Sequence, residues 1–218
     1  MADKLAVWKQ ALVHLGSATI TTLADAVPAV NVFNTAWPGV VEGAFSDGDW
    51  NFAKKTIEMS ASVLGTASPG YSFVYDYPDD YQRTIAVAPS SRFDAPFNSY
   101  IDEGGYLHSN VSPLFLRFIS STNASDANVT RWPVSFWRYV AVSLAFETSE
   151  RITQSSGLRD RLEKRLAVTL SKAKSVDAMN EQGKAISDGS WLRSRGSDRG
   201  IGVPSVIPGG VVLTEGDI

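Results

Sequence analysis

Between Phe136 and Phe146 the chain is apolar on nearly every side: Phe136, Trp137, Tyr139, Val140, Ala141, Val142, Leu144, Ala145 and Phe146 leave no polar face. A helix of this kind has to be covered on several sides, so the fold must supply other elements to wrap it. The same sequence offers them. Asp3 is placed as an N-cap, Leu5, Trp8, Leu12 and Leu15 recur at steps of three and four, and Gly16 follows as a stop. Val30, Phe33, Trp37, Val41 and Phe45 make a second stripe, with Pro38 predicting a kink or break. Asp47 or Asp49 then caps a third predicted helix through Trp50, Ala53, Ile57 and Leu64, ending at Gly65. After Trp132-Pro133 the apolar helix begins, and Leu158, Leu162, Leu166, Leu170 and Ala173 share one face of the last helix.

The character changes after Pro69. Segments 71–77, 83–88, 96–101, 105–109 and 113–119 are rich in Tyr, Phe, Val and Ile, and Pro, Asp, Asn and Gly separate them, which reads as short strands. Asp102-Glu103-Gly104-Gly105 reads as a hairpin turn, because glycine accepts positive φ without steric cost. The expected fold class is therefore mainly α: a helical bundle with a small inserted antiparallel β-sheet and an extended C-terminal tail. Residues 1–68 and 130–186 form the bundle core in this reading, 69–129 the inserted β region, and 187–218 a docking tail.

The tail holds seven glycines and two prolines from Asp188 onward, too little periodic apolar surface to fold by itself. It nevertheless carries Trp191, Leu192, Arg193, Arg195, Ile201, Val203, Val206 and Ile207, then Val211-Val212-Leu213. Two readings stand: an extended segment that docks on a neighbouring chain, with Trp191 as its anchor, or a solvated tail.

Charge narrows the function. The net charge is −3 and the pI about 5.4, so the chain has no overall nucleic-acid signature. The charge is unevenly spread. Arg151–Lys174 carries seven basic and two acidic residues, and Val41–Asp80 carries seven acidic and two basic. Such blocks are either solvated faces or complementary surfaces that meet between copies. In the last helix Arg161, Arg165 and Lys172 fall on one flank, a candidate channel or partner face. There is no cysteine, which excludes disulfides and thiolate metal sites. The first residues lack a signal-peptide core, and no apolar run is long enough to span a bilayer.

Catalytic constellations are sparse. His14 and His108 are the only histidines, and each sits in a predicted element where a structural role is expected. No metal-ligand spacing, phosphate loop or nucleophile elbow occurs, and no metal or cofactor is expected. The carboxylates Asp76, Asp79, Asp80, Asp102 and Glu103 are the remaining suspects, since two acids across a cleft can hydrolyse glycosides. Pro78-Asp79-Asp80 and Asp102-Glu103-Gly104-Gly105 read first as turns.

Two aromatic motifs carry a resemblance. One is Trp50-Asn51-Phe52-Ala53; the other runs through Tyr75, Tyr77, Pro78 and Asp80 in a Tyr-x-x-Pro-x-Asp stretch. Their order, after a helix ending in Leu15-Gly16 and before a helix containing Leu144-Ala145, resembles the tail tubular protein A family of short-tailed phages. It resembles the head-to-tail adaptors of other tailed phages more loosely. Pro38 departs from that family's pattern. The resemblance implies a non-enzymatic virion protein made in the bacterial host cytoplasm. It implies twelve copies in a ring below the portal, meeting portal and tail or nozzle proteins, framing the channel for double-stranded DNA and contacting no membrane. A carboxylate glycan hydrolase of the virion, or a tail-completion or neck protein at another level, is the alternative expectation.

Overall fold

The computed structural model describes residues 3–62, 65–93, 96–124 and 126–180. The residues predicted to dock, Trp191 to Ile207, lie outside them.

The first helix, α1 (Lys4–Leu15), starts as its sequence predicts: the Asp3 carboxylate accepts the Ala6 N–H at 2.7 Å, and Gly16 ends the helix at φ 65°. The second, α2 (Pro28–Ser46), runs through Pro38 without a break. Pro38 and Asn34 are both exposed, so water can satisfy the Asn34 carbonyl that proline leaves without its helical donor.

The predicted third helix does not exist. A 3-10 turn over Asn51–Ala53 leads straight into a strand, β1 (Lys54–Met59). Five more strands follow: β2 (Phe73–Asp76), β3 (Tyr81–Ala88), β4 (Tyr100–Glu103), β5 (Tyr106–Ser109) and β6 (Leu114–Ser120). They form two three-stranded antiparallel sheets, ordered β1-β6-β3 and β2-β5-β4. Two 3-10 segments, Ser121–Ala124 and Asp126–Arg131, return the chain to α3 (Val134–Thr153) and α4 (Ser156–Met179). With four helices and two sheets among the described residues, the fold is mixed α/β, which overturns the expected mainly α bundle with one small sheet. Trp50, Ala53 and Ile57 do satisfy a helical spacing. Thr56 and Ile57, however, are β-branched, and all six residues of β1 pair with β6, from Lys54↔Ile119 to Met59↔Leu114. A partner sixty residues away decides the outcome, and local spacing cannot register it.

Four of the five strands expected in the middle segment lie close to their predicted positions, while the fifth, expected over 96–101, starts only at Tyr100 and takes in Asp102 and Glu103, which the sequence assigns to the turn. Gly104 and Gly105, at φ 63° and 82°, join β4 to β5, the positive φ pair a two-residue hairpin loop requires.

Strand β6 links two cores. Leu114, Leu116 and Phe118 alternate along it and face Met59, Tyr75, Val87 and Leu107, the layer between the sheets. Ile119 turns the other way and joins the helical core. There α3 packs against α1, α2 and α4, as its apolar surface demands. Its Phe136 meets Phe45, Trp50, Phe52 and Trp132 at centroid distances of 4.9–5.2 Å, all in edge-on or tilted arrangements that suit the ring quadrupoles.

Candidate functional site

The two aromatic motifs turn out to be joints. Trp50 is buried, and its indole N–H donates to the Ala44 carbonyl at 2.8 Å, tying the motif to the end of α2. Gly48 lies under the same ring, and a Cβ there would sit 2.9 Å from it. Asn51 reaches the far end of α4. Its backbone N–H donates to the Asp177 carboxylate at 2.9 Å, and its side-chain amide donates to the Asp177 carbonyl at 2.7 Å. Lys54 Nζ donates to Asn51 Oδ1 at 2.6 Å, and the Phe52 carbonyl accepts from Asn123 at 3.1 Å.

The second motif does the same for the sheets. The Tyr75 hydroxyl donates to the Val111 carbonyl at 2.6 Å, and Tyr77 stacks on Tyr81 with ring centroids 4.1 Å apart. The Pro78 carbonyl accepts the Tyr81 N–H at 2.9 Å, closing a turn. Asp80 is its hub. One carboxylate oxygen accepts from Lys55 Nζ (2.8 Å), Ser120 Oγ (2.6 Å) and Thr122 Oγ1 (3.0 Å), joining β1, the start of β3 and the end of β6. These donors, Lys55 first, hold its pKa down to about 2. A carboxyl so placed stays ionised and occupied, the opposite of what a general acid needs. The other acidic suspects lie apart from this hub: Asp76, Asp79 and Asp102 are exposed, and Glu103 accepts from Ser68 Oγ at 3.1 Å. No group of three potential metal ligands occurs among the described residues. His108 is buried on β5, where its Nδ1 accepts the Ser68 N–H at 3.2 Å.

Of the predicted basic flank, the structure separates Arg161 from the other two. Arg161 folds back on its own helix, donating from Nε to the Gly157 carbonyl at 3.2 Å. Arg165 and Lys172 instead line a cleft of about 510 Å³ between α1, α3 and α4. Gln10 and His14 of α1 face them, with Val134, Ser135, Arg138 and Val142 of α3, and Thr169, Ala173 and Val176 complete the α4 wall. Four basic side chains meet there, and no acidic residue lines the cleft. Burial, and then the charge of Arg165, push the His14 imidazole below its ordinary pKa of 6.5. Sequence reasoning found Arg165 and Lys172 but missed Arg138 and His14. Gln10 and His14 stand four apart and Arg165, Thr169 and Lys172 four and three apart, but neither spacing points to the other helix, and Arg138 carries no such pattern.

A second surface of α4 adjoins the cleft. Ala167, Val168, Ser171, Ser175, Val176 and Met179 recur at steps of one, three and four along an uncovered side, where Val168 is 67% and Met179 80% exposed. The inner stripe of the same helix packs on the core, with Leu162 and Ala173 buried and Leu166 and Leu170 partly buried. The outer stripe is therefore surplus to what folding the described chain requires. Among the described residues, no helix is long and apolar enough to cross a membrane. No family model matches this chain, and no curated protein matches it.

Proposed function

We propose that this protein is a structural component of a tailed-phage virion, a head-to-tail connector that assembles into a ring beneath the portal and frames the DNA channel. The observation that carries this reading is the second apolar stripe of α4. Among the described residues nothing covers Val168 and Met179, and a subunit that packs a long helix against a neighbour would bury them. A ring needs heterologous contacts, in which each copy uses two different faces. The order of the Trp50-Asn51-Phe52-Ala53 and Tyr75–Asp80 motifs supports the virion assignment through their resemblance to tail tubular protein A. Both motifs hold the scaffold rigid: one ties α2 to α4, the other ties β1, β3 and β6. Portal and tail proteins are the partners this reading assigns, with double-stranded DNA passing without sequence specificity.

The test is assembly. The full chain, alone and mixed with its portal, is examined by light scattering and negative-stain microscopy beside the variant V168S/V176S/M179S. Rings from the wild type and unassembled, normally folded subunits from the variant are expected. A wild type that stays monomeric with portal present, or a variant that assembles equally well, refutes the reading.

A further inference from the structure

We infer that the cleft between α1, α3 and α4 is a binding site for phosphate groups, held by Arg138, Arg165 and Lys172 with His14 and Gln10 at its back. The inference goes beyond the connector reading. It concerns the chemistry of one cleft and is tested on the subunit without any partner, so it stands or falls apart from ring assembly.

Three observations carry it. The first is composition. The polar side chains lining the cleft are Gln10, His14, Ser135, Arg138, Arg165, Thr169 and Lys172, all able to donate and none a carboxylate. In a chain with more acidic than basic residues, such a lining is a local inversion of charge. The second is the state of the cations. The Lys4, Lys55, Arg83 and Arg159 side chains each pair with a carboxylate. Arg138, Arg165 and Lys172 have no acidic partner within salt-bridge distance among the described residues, and all three are exposed. The Arg138 guanidinium rests 5.8 Å from the Trp137 ring, Thr169 Oγ1 donates to the Arg165 carbonyl at 2.8 Å, and Gln10 Nε2 lies 3.3 Å from His14 Nε2. The third is shape. Three helices each contribute one stripe to a concave wall with a floor of buried Val142 and Ala173. Like charges facing one another across a concave, partly apolar surface focus a positive potential.

Phosphate fits this lining better than a carboxylate does. Its oxygens point in several directions and can meet guanidinium forks from α3 and α4 together. Arg165 and Lys172 stand seven residues apart on α4, about 10 Å along the axis at 1.5 Å per residue, enough to address more than one phosphate. Phosphate could come from a nucleic-acid backbone or from free phosphate, and the two share this chemistry.

Arg165 from α4 is the charge that acts on His14, Arg138 from α3 and Lys172 from α4 line the same cleft, and neutral Gln10 lies beside it on α1. An anion among them offsets the positive field that disfavours imidazolium, so binding raises the His14 pKa, and affinity increases as pH falls. The histidine ring resonances of the full chain report this directly by NMR, with His108, buried on β5 away from the cleft, as an internal reference. At constant ionic strength the probes are inorganic phosphate, a short DNA duplex and a glutamate-rich peptide.

A saturable His14 shift with phosphate or duplex is expected, with its pKa raised on binding. Arg165→Gln with Lys172→Gln should weaken binding about tenfold or more, while the His108 signal stays in place. Duplex binding that is tighter than phosphate, with a salt dependence that loses about two charges in the double variant, identifies the backbone as the source. Equal affinity for both identifies free phosphate. Absence of a saturable shift with either probe overturns the inference. So does a shift that the double variant leaves unchanged, or saturation by the peptide alone.

Discussion

Asp80→Asn exchanges a carboxylate for an amide of the same shape at a point where three strands are tied. In the wild type, one oxygen accepts from Lys55, Ser120 and Thr122 at 2.6–3.0 Å. The amide oxygen can still sit there, so the bonds survive in geometry but lose the charge of their acceptor. A hydrogen bond to a charged group is worth about 1.5–3 kcal/mol against about 1 for a neutral pair. The bond from buried Ser120 and that from Thr122 should each weaken by about 0.5–1 kcal/mol. The Lys55 contact is half-exposed and screened, and adds about 0.5 kcal/mol. The total is about 2 kcal/mol of stability. Its pH dependence follows from the depressed pKa. Asp80 titrates near 3.8 when unfolded and at about 2 when folded, so its contribution is complete above about pH 4 and is lost as pH falls toward 2. Urea unfolding of both proteins at pH 7 and near pH 2 checks both parts. The difference between wild type and variant should be about 2 kcal/mol at pH 7 and shrink toward zero in acid. A difference below about 0.5 kcal/mol at pH 7, or one that persists unchanged at pH 2, refutes the tie.

Other outcomes follow from the same structure. Trp50→Ala should cost about 3–5 kcal/mol in a denaturant titration, because it empties the centre of the aromatic core. Trp50→Phe should cost less but still leave the Ala44 carbonyl without its 2.8 Å donor. Gly48→Ala drives a methyl against a buried indole that cannot yield, so a loss of about 1–3 kcal/mol is expected from the same assay. His14, with its pKa lowered by folding, binds fewer protons in the native state than in the unfolded chain. Stability should therefore fall as pH drops below about 6.5, and His14→Gln should flatten that dependence in midpoints measured at pH 7.5 and 5.5.

Much of the scaffold is legible in the residues. Asp3 and Gly16 bound α1, Gly104-Gly105 turns the β4–β5 hairpin, and the all-apolar stretch after Phe136 became the most enclosed helix. These are local matters: a cap, a positive φ, a face without polar groups. The candidate site was half legible. Arg165 and Lys172 share a helix face that spacing alone reveals, and Arg161 looked equivalent until its guanidinium was seen to bond its own helix. Arg138 and His14 gave no sign of belonging with them, because they come from two other helices.

What the sequence determined by itself was where helices cap, where a hairpin turns and which helix must be enclosed, since each depends on neighbours within a few residues. Only the tertiary structure decided that Lys54–Met59 is a strand, because its register is written in β6 and not in itself. It alone gathered three cations and a histidine into one cleft and tied Asp80 to strands that the chain separates by tens of residues. Long-range pairing and charge proximity depend on distances in space, and a spacing pattern along one segment carries no measure of them.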